Sequence, residues 1–190
     1  TATMWRGSMT FEVPMLFSIG FIFLFVIGGF SGVICAIVPI DIQVQETYYV
    51  IAHFHYVLVS GALFAIFGGV YYWLPKWCGR MYDEKLGKWH FWLSMFFFNL
   101  TFFVQHFLGL AGMPRRVPDY ALQFADFNMI SSIGGFGFGL TQLFFLYIVI
   151  KCIRSGEKAA DKPWDGGTTL EWTLPSPAPY HSFETPPVIK

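Results

Sequence analysis

The chain is predicted to be all-α, a polytopic membrane protein of four transmembrane helices, and three observations predict it. Four apolar runs, each long enough to cross the ~30 Å hydrocarbon core as a helix of ~20 residues, follow one another along the 190 residues. Charged residues make up 13% of the chain, against roughly a quarter in a soluble domain. Aromatic residues reach 21%, with 23 phenylalanines, a load that suits lipid better than water. The net charge of zero withholds the basic face that nucleic acid requires. Membrane lipid is therefore an expected partner and nucleic acid is not.

The first run covers residues 14–38 and opens on Pro14, which a first helical turn tolerates. The second covers 47–74 and is expected to stop at Pro75. The third covers 89–112 and ends before Met113 and Pro114, and the fourth covers 128–150 and runs into Lys151. Gly28, Gly29 and Gly32 on the first, and Gly134, Gly135, Gly137 and Gly139 on the fourth, are expected at helix–helix contacts. Beyond Ser155 the sequence is rich in Pro, Gly and charge, which predicts an extended cytoplasmic tail, ordered only against a partner. Residues 1–154 thus read as the membrane part and 155–190 as the tail. The cysteines Cys35, Cys78 and Cys152 form no CxxC pair and read as small buried hydrophobes. The opening TATMWRGS lacks an initiator Met and a signal-peptide pattern, which suggests a processed chain or part of a longer one.

Charge between the runs predicts orientation. Lys76, Arg80, Lys85 and Lys88 follow the second run, and Lys151, Arg154, Lys158 and Lys162 follow the fourth. By the positive-inside rule both segments are cytoplasmic, and so is the N-terminus. Arg115 and Arg116 then fall on the outer side, where their presence calls for a reason.

Ionisable residues inside a span are costly and signal function. His53 and His55 lie in the second run, roughly 9–12 Å down the helix from its outer end. Two histidines that share one metal sit three or four residues apart, on one helix face. Two residues apart they diverge by ~200°. That geometry serves two cofactors, one on each side, and neutral imidazole is a common axial ligand of haem iron. Phe54 would lie near the gap between them. The competing reading is that both histidines bond neighbouring helices. His90 is expected at the cytoplasmic interface, His106 in a hydrogen bond near the outer end of the third run, and His181 in the tail. Arg115 and Arg116, on the same outer side, suit carboxylates such as haem propionates through charge-assisted bonds, or else form a solvated pair near Asp119.

The stretch from Tyr48 to Leu58, YYVIAHFHYVL, resembles the haem-ligand helix of subunit I of the haem–copper terminal oxidases. The stretch from Gln105 to Arg116, QHFLGLAGMPRR, resembles the loop after that family's eleventh helix, and Gly20 to Phe25 fits its ninth. The chain is similar over nearly its whole length to the last third of subunit I, helices nine to twelve of a twelve-helix bundle, of bacterial aa3-type cytochrome c oxidases. The resemblance implies that His53 binds haem a3, where oxygen reacts, and that His55 binds haem a. It implies that Phe54 lies between the haems, that Arg115 and Arg116 bind their propionates, and that Asp41 lies near the haem a3 propionates. It further implies oxygen reduction to water with coupled proton pumping in the bacterial inner membrane, electrons arriving from cytochrome c. Partners would be the remaining helices of subunit I and oxidase subunits II and III.

Two departures matter. The family often has a His-Asp pair contributing to a magnesium site where this chain has Gln45 and Glu46; Glu46 keeps a hard oxygen ligand. The ligands of copper B lie upstream of these helices in the family and are not in this sequence. Three other readings are a quinol oxidase of the same superfamily, a di-haem electron carrier, and a cofactor-free transporter or assembly piece.

Overall fold

The computed structural model describes residues 1–187. Helix α1 (Val13–Ala36) leads through the short α2 (Val38–Val44) into α3 (Tyr48–Leu58), a π-helical turn (Val59–Phe64) and α4 (Ala65–Cys78). These last three form one continuous rod. Strand β1 (Arg80–Met81) precedes α5 (Glu84–Leu110), and a 3-10 turn (Leu122–Phe124) opens α6 (Ala125–Ser155). Strand β2 (Glu157–Lys158) pairs antiparallel with β1, and a second 3-10 turn covers Leu170–Thr173. Four rods of 24, 31, 27 and 34 residues are long and apolar enough to cross a membrane.

Several ends differ from expectation. The second rod runs through Pro75 to Cys78 and ends where Gly79 takes a left-handed conformation, φ 70°. Proline removes one backbone bond, to the carbonyl four residues back; here the ring is buried against the bundle so near the end that the helix persists. The third rod starts at Glu84, five residues early, because Asp83 caps it: its Oδ1 accepts the N–H groups of Lys85 at 3.1 Å and Leu86 at 3.3 Å. Charge in that first turn hides the start from a hydropathy reading. The fourth opens with its 3-10 turn at Leu122 and runs to Ser155, beyond the expected 128–150 at both ends.

Aromatic side chains fill the centre of the bundle. Phe17 of α1 meets Phe64, Phe67 and Phe91 at ring separations of 5.6, 5.5 and 5.2 Å, tilted or edge-on as ring quadrupoles prefer. His90 is not interfacial. It is fully buried against Phe17, Phe67 and Phe145, and its Nδ1 is hydrogen-bonded to Tyr71 Oη at 3.0 Å. The glycines divide. A Cβ on Gly134 would stand 2.6 Å from the Thr101 backbone nitrogen, so α5 and α6 pack there backbone to backbone. Gly137 makes room for the Phe97 ring and Gly28 for the backbone at Tyr56. Gly29 and Gly139 face open space, and Gly135 makes only ordinary contact, so the expected glycine contacts hold on one side of each helix.

The segment after Ser155 carries little regular structure among the described residues, and the bundle itself holds it, in place of the expected extended tail ordered only against a partner. Trp164 and Trp172 are buried; their Nε1 atoms donate to the Tyr72 carbonyl at 2.9 Å and the Tyr72 hydroxyl at 2.8 Å. Lys76 Nζ, turned inward, donates to the carbonyls of Asp161 at 2.9 Å and Leu174 at 2.7 Å. Its charge also lies 5.0 Å from the Trp172 ring centre, a cation–π distance.

Candidate functional site

Helix α3 is capped by Thr47, whose Oγ1 accepts the Tyr49 N–H at 3.2 Å. From that start the helical phase sends His53 toward α1 and His55 toward α5. His53 Nδ1 lies 2.9 Å from the Gly28 carbonyl oxygen and 3.2 Å from Ser31 Oγ. Ser31 Oγ in turn donates to the Gly28 carbonyl at 2.9 Å. A Cβ on Gly32 would come within 2.7 Å of the His53 ring, so the absent side chain is what seats the imidazole. His55 Nδ1 lies 2.8 Å from the Ile51 carbonyl oxygen, one turn back on its own helix. Its ring stacks on Phe102 of α5 at 4.2 Å and 14°, with Phe54 at 4.4 Å and 30°.

One chemical consequence is common to both rings. A carbonyl oxygen only accepts, so each neutral imidazole carries its proton on Nδ1 and keeps its lone pair on Nε2. Such an Nδ1–H bond fixes the tautomer and orientation of a metal-ligating histidine. The expected divergence of the two rings is therefore present, with two half-buried nitrogen donors on different sides of one rod. Among the described residues no three His, Cys, Asp or Glu side chains converge as a metal site. The donors fit two separate groups that bring most of their own coordination, as haem does.

At the N-terminal end of the histidine rod, the loop after α5 lies along the start of α3. Tyr48 N–H donates to the Met113 carbonyl at 3.0 Å and Arg115 N–H to the Glu46 carbonyl at 2.9 Å. This short antiparallel contact brings the arginines to the histidine rod. Arg115 Nε donates to Glu46 Oε2 at 2.9 Å, and its terminal nitrogen bonds the other oxygen, a bidentate pair. Arg116 adds a longer contact at 3.6 Å. The Arg115 hydrogen bond holds the Glu46 carboxyl below the usual carboxylate range, and the same bond raises Arg115. Glu46 and Arg116 both have left-handed backbones, φ 58° and 61°, a conformation costly for side-chain-bearing residues and concentrated at functional sites.

The structure thus brings together His53, Phe54 and His55, and separately Glu46, Arg115 and Arg116. Asp41 is half-buried on α2 and makes no ion pair with the arginines among the described residues. Both Glu46 oxygens are engaged by arginine and Gln45 is exposed. A magnesium role for Glu46 would require that pair to open, and the donor set as folded does not fit the ion. His106 is hydrogen-bonded as expected, its Nδ1 3.2 Å from the Phe103 carbonyl. Sequence reasoning missed Ser31 as a partner of His53 and the π turn that follows His55. Ser31 carried a signal, since it stands between the two close-packing glycines of α1.

The fold defines a polytopic α-helical membrane protein. The chain belongs to the family described as Cytochrome C and Quinol oxidase polypeptide I, whose model matches residues 1–137. It is 49% identical over 191 residues to the probable cytochrome c oxidase subunit 1-beta of Nocardia farcinica, covering 99% of this chain and 32% of that protein. It is 48% identical over 188 residues to cytochrome c oxidase subunit 1 of Cereibacter sphaeroides, covering 98% of this chain and 33% of that one. The chain spans about a third of the length of these relatives. A heme-copper terminal oxidase dimer solved by cryo-electron microscopy shares the fold at a TM-score of 0.68 and 21% identity, over 76% of this chain and 27% of that one.

Proposed function

We propose that this chain supplies the last four membrane helices of subunit I of an aa3-type cytochrome c oxidase, holding haem a3 through His53 and haem a through His55. Residues 1–154 form the haem-carrying membrane part and 155–190 the tail. The observation that carries this reading is the pair of carbonyl-locked imidazoles on one rod, His53 against α1 and His55 against α5. Haem, when bound, supplies electron transfer and the centre at which oxygen is reduced to water.

This chain's residues then have defined tasks. Gly28, Ser31 and Gly32 orient His53, the residue that touches the catalytic haem. Phe102 and Phe54 hold the His55 ring and exclude water from it. Phe54 lies between the two sites on the electron path. Arg115 and Arg116 offer donors to propionate carboxylates, Glu46 keeps them aligned, and Asp41 stands near the same propionates. Copper B and its ligands belong to the upstream helices of the complete subunit, and proton pumping to the assembled complex. Partners on this reading are those helices, subunits II and III, and cytochrome c. The basic inner loop supports an orientation with both ends of the segment on the cytoplasmic side of a bacterial plasma membrane. The relatives' names favour cytochrome c over quinol as donor.

The test is a reduced-minus-oxidised spectrum of the purified complex with and without carbon monoxide. Haem A in two spin states, one of them binding carbon monoxide, is expected. A single low-spin signature indifferent to carbon monoxide, or no haem A, would sink the reading.

A further inference from the structure

The inner ends of the second and fourth membrane rods meet at two sulfur atoms. Cys78 is the last residue of α4 and Cys152 lies in the last turn of α6, and their Sγ atoms stand 3.9 Å apart. Both sulfurs lie near the Arg80 carbonyl, at 3.4 Å from Cys78 and 3.3 Å from Cys152, and Cys78 Sγ also lies 3.1 Å from the Leu74 carbonyl one turn back. The β1–β2 pairing of Arg80 with Lys158 fixes that carbonyl in place, and the Arg80 side chain donates to the Gly156 carbonyl at 2.8 Å. Two cysteines 74 positions apart are thus held together by three elements.

The pair is also reachable. Cys78 is half-buried. The buried Cys152 forms part of the wall of a cavity of about 360 Å³ shared with Asp83, Lys151, Ser155 and Glu157; Cys78 does not line that cavity and is reached through its own partly exposed surface. A disulfide needs sulfurs ~2.05 Å apart, so the two must close by about 2 Å, within the reach of side-chain rotation between rotamers. Cys35, the third cysteine, stands alone on α1.

We propose that Cys78 and Cys152 are a reversible redox pair that ties the inner ends of the second and fourth membrane helices when a hydroperoxide reaches the partly exposed Cys78 sulfur. The more exposed Cys78 sulfur attacks the peroxide as thiolate; the O–O bond breaks, the alcohol or water leaves, and Cys78 becomes a sulfenic acid. The Cys152 sulfur then displaces water from that sulfenic acid and the S–S bond forms. In total two thiols lose two protons and two electrons, and one hydroperoxide is reduced to water and its alcohol. On the side that the basic loop assigns to the cytoplasm, the glutathione pool keeps thiols reduced. The bond therefore forms under oxidative load and is reversed by thiol exchange. Only this reversibility rests on the orientation proposed above.

The experiment treats the complete detergent-extracted complex with excess hydrogen peroxide, alkylates it under denaturing conditions, and maps cysteine peptides by mass spectrometry. A joined Cys78–Cys152 peptide that dithiothreitol separates is expected, with Cys35 still fully alkylated. In Cys152→Ser the joined peptide disappears and Cys78 is trapped by dimedone. Equal alkylation of both cysteines with and without peroxide, or separate sulfinic acids with no joined peptide, would leave two small buried hydrophobes and overturn the proposal.

Discussion

His53 Nδ1 sits 2.9 Å from the carbonyl oxygen of Gly28, 25 positions earlier in the chain. That bond joins two otherwise separate facts, a histidine inside a membrane rod and a glycine-rich stripe on the neighbouring rod. The glycines bring the α1 backbone close enough for its carbonyl, and not a side chain, to take the ring proton. Ser31 supports the same carbonyl, so ring orientation is set before any ligand binds, which is what a metal-ligating imidazole requires of its surroundings.

Gly32→Ala tests this arrangement. The added Cβ would meet the His53 ring at 2.7 Å, and the ring must turn or the helices must part. The expected outcome is a fall of about 10-fold or more in the carbon monoxide-responsive haem signal, with the low-spin signal retained. Gly29→Ala, whose Cβ meets nothing within 4 Å, is expected to leave both signals unchanged. The two histidines separate in the same assay: His53→Ala should abolish the carbon monoxide-binding signal and His55→Ala the low-spin band.

Glu46 gives a prediction in pH. Its carboxyl titrates below the usual carboxylate range because Arg115 bonds the charged form. A lowered folded value means the stabilisation is present above the unfolded value of about 4.3 and is lost as pH falls through the lower folded value. The pair should therefore persist unchanged from about pH 8 down to about pH 5. Infrared difference spectra of the wild type against Glu46→Gln should show only the ionised carboxylate band over that range. A protonated carboxyl band already present near neutral pH would contradict the assignment of both oxygens to the arginines.

The interface between α5 and α6 yields a contrast within one helix. Gly134 lets the two backbones touch, whereas Gly139 faces open space on the same rod. Gly134→Val must push backbone against backbone, an overpacking that costs about 1–3 kcal/mol. A clearly lowered midpoint of thermal inactivation is expected for it, with no change for Gly139→Ala. Equal effects at the two positions would mean that the helices do not pack as described.

Much of this architecture was legible because lipid imposes a simple code, long apolar runs interrupted by charge. The spacing of His53 and His55 was equally readable, since helix phase alone separates their faces. What stayed hidden depended on partners distant in sequence. Nothing around His90 distinguishes a core histidine from an interfacial one until Phe17, Phe67, Tyr71 and Phe145 surround it. The Glu46–Arg115 bond spans 69 positions and depends on a loop contact that no periodicity announces. Charge misled at Glu84, and a proline rule misled at Pro75, where burial in the bundle outweighs the loss of one backbone bond.

The tail offers the last test, because its polar composition hides how it is held. Lys76 turns its ammonium inward to the carbonyls of Asp161 and Leu174, while Trp164 and Trp172 both hydrogen-bond Tyr72. Lys76→Met keeps the length of the side chain and removes its donors, leaving those carbonyls to find water and removing the charge over Trp172. The loss of such bonds costs about 1–3 kcal/mol, and it falls on local opening rather than on the bundle, since the apolar contacts of the rods are untouched. Limited proteolysis of the detergent-solubilised complex should then cut between residues 159 and 176 at least about 10-fold faster than in the wild type. The haem spectra should be unchanged, because the anchor lies at the opposite end of the rod from His53. An unaltered cleavage rate would show that the two tryptophans alone hold the segment, and Trp172→Ala would then carry the loss instead.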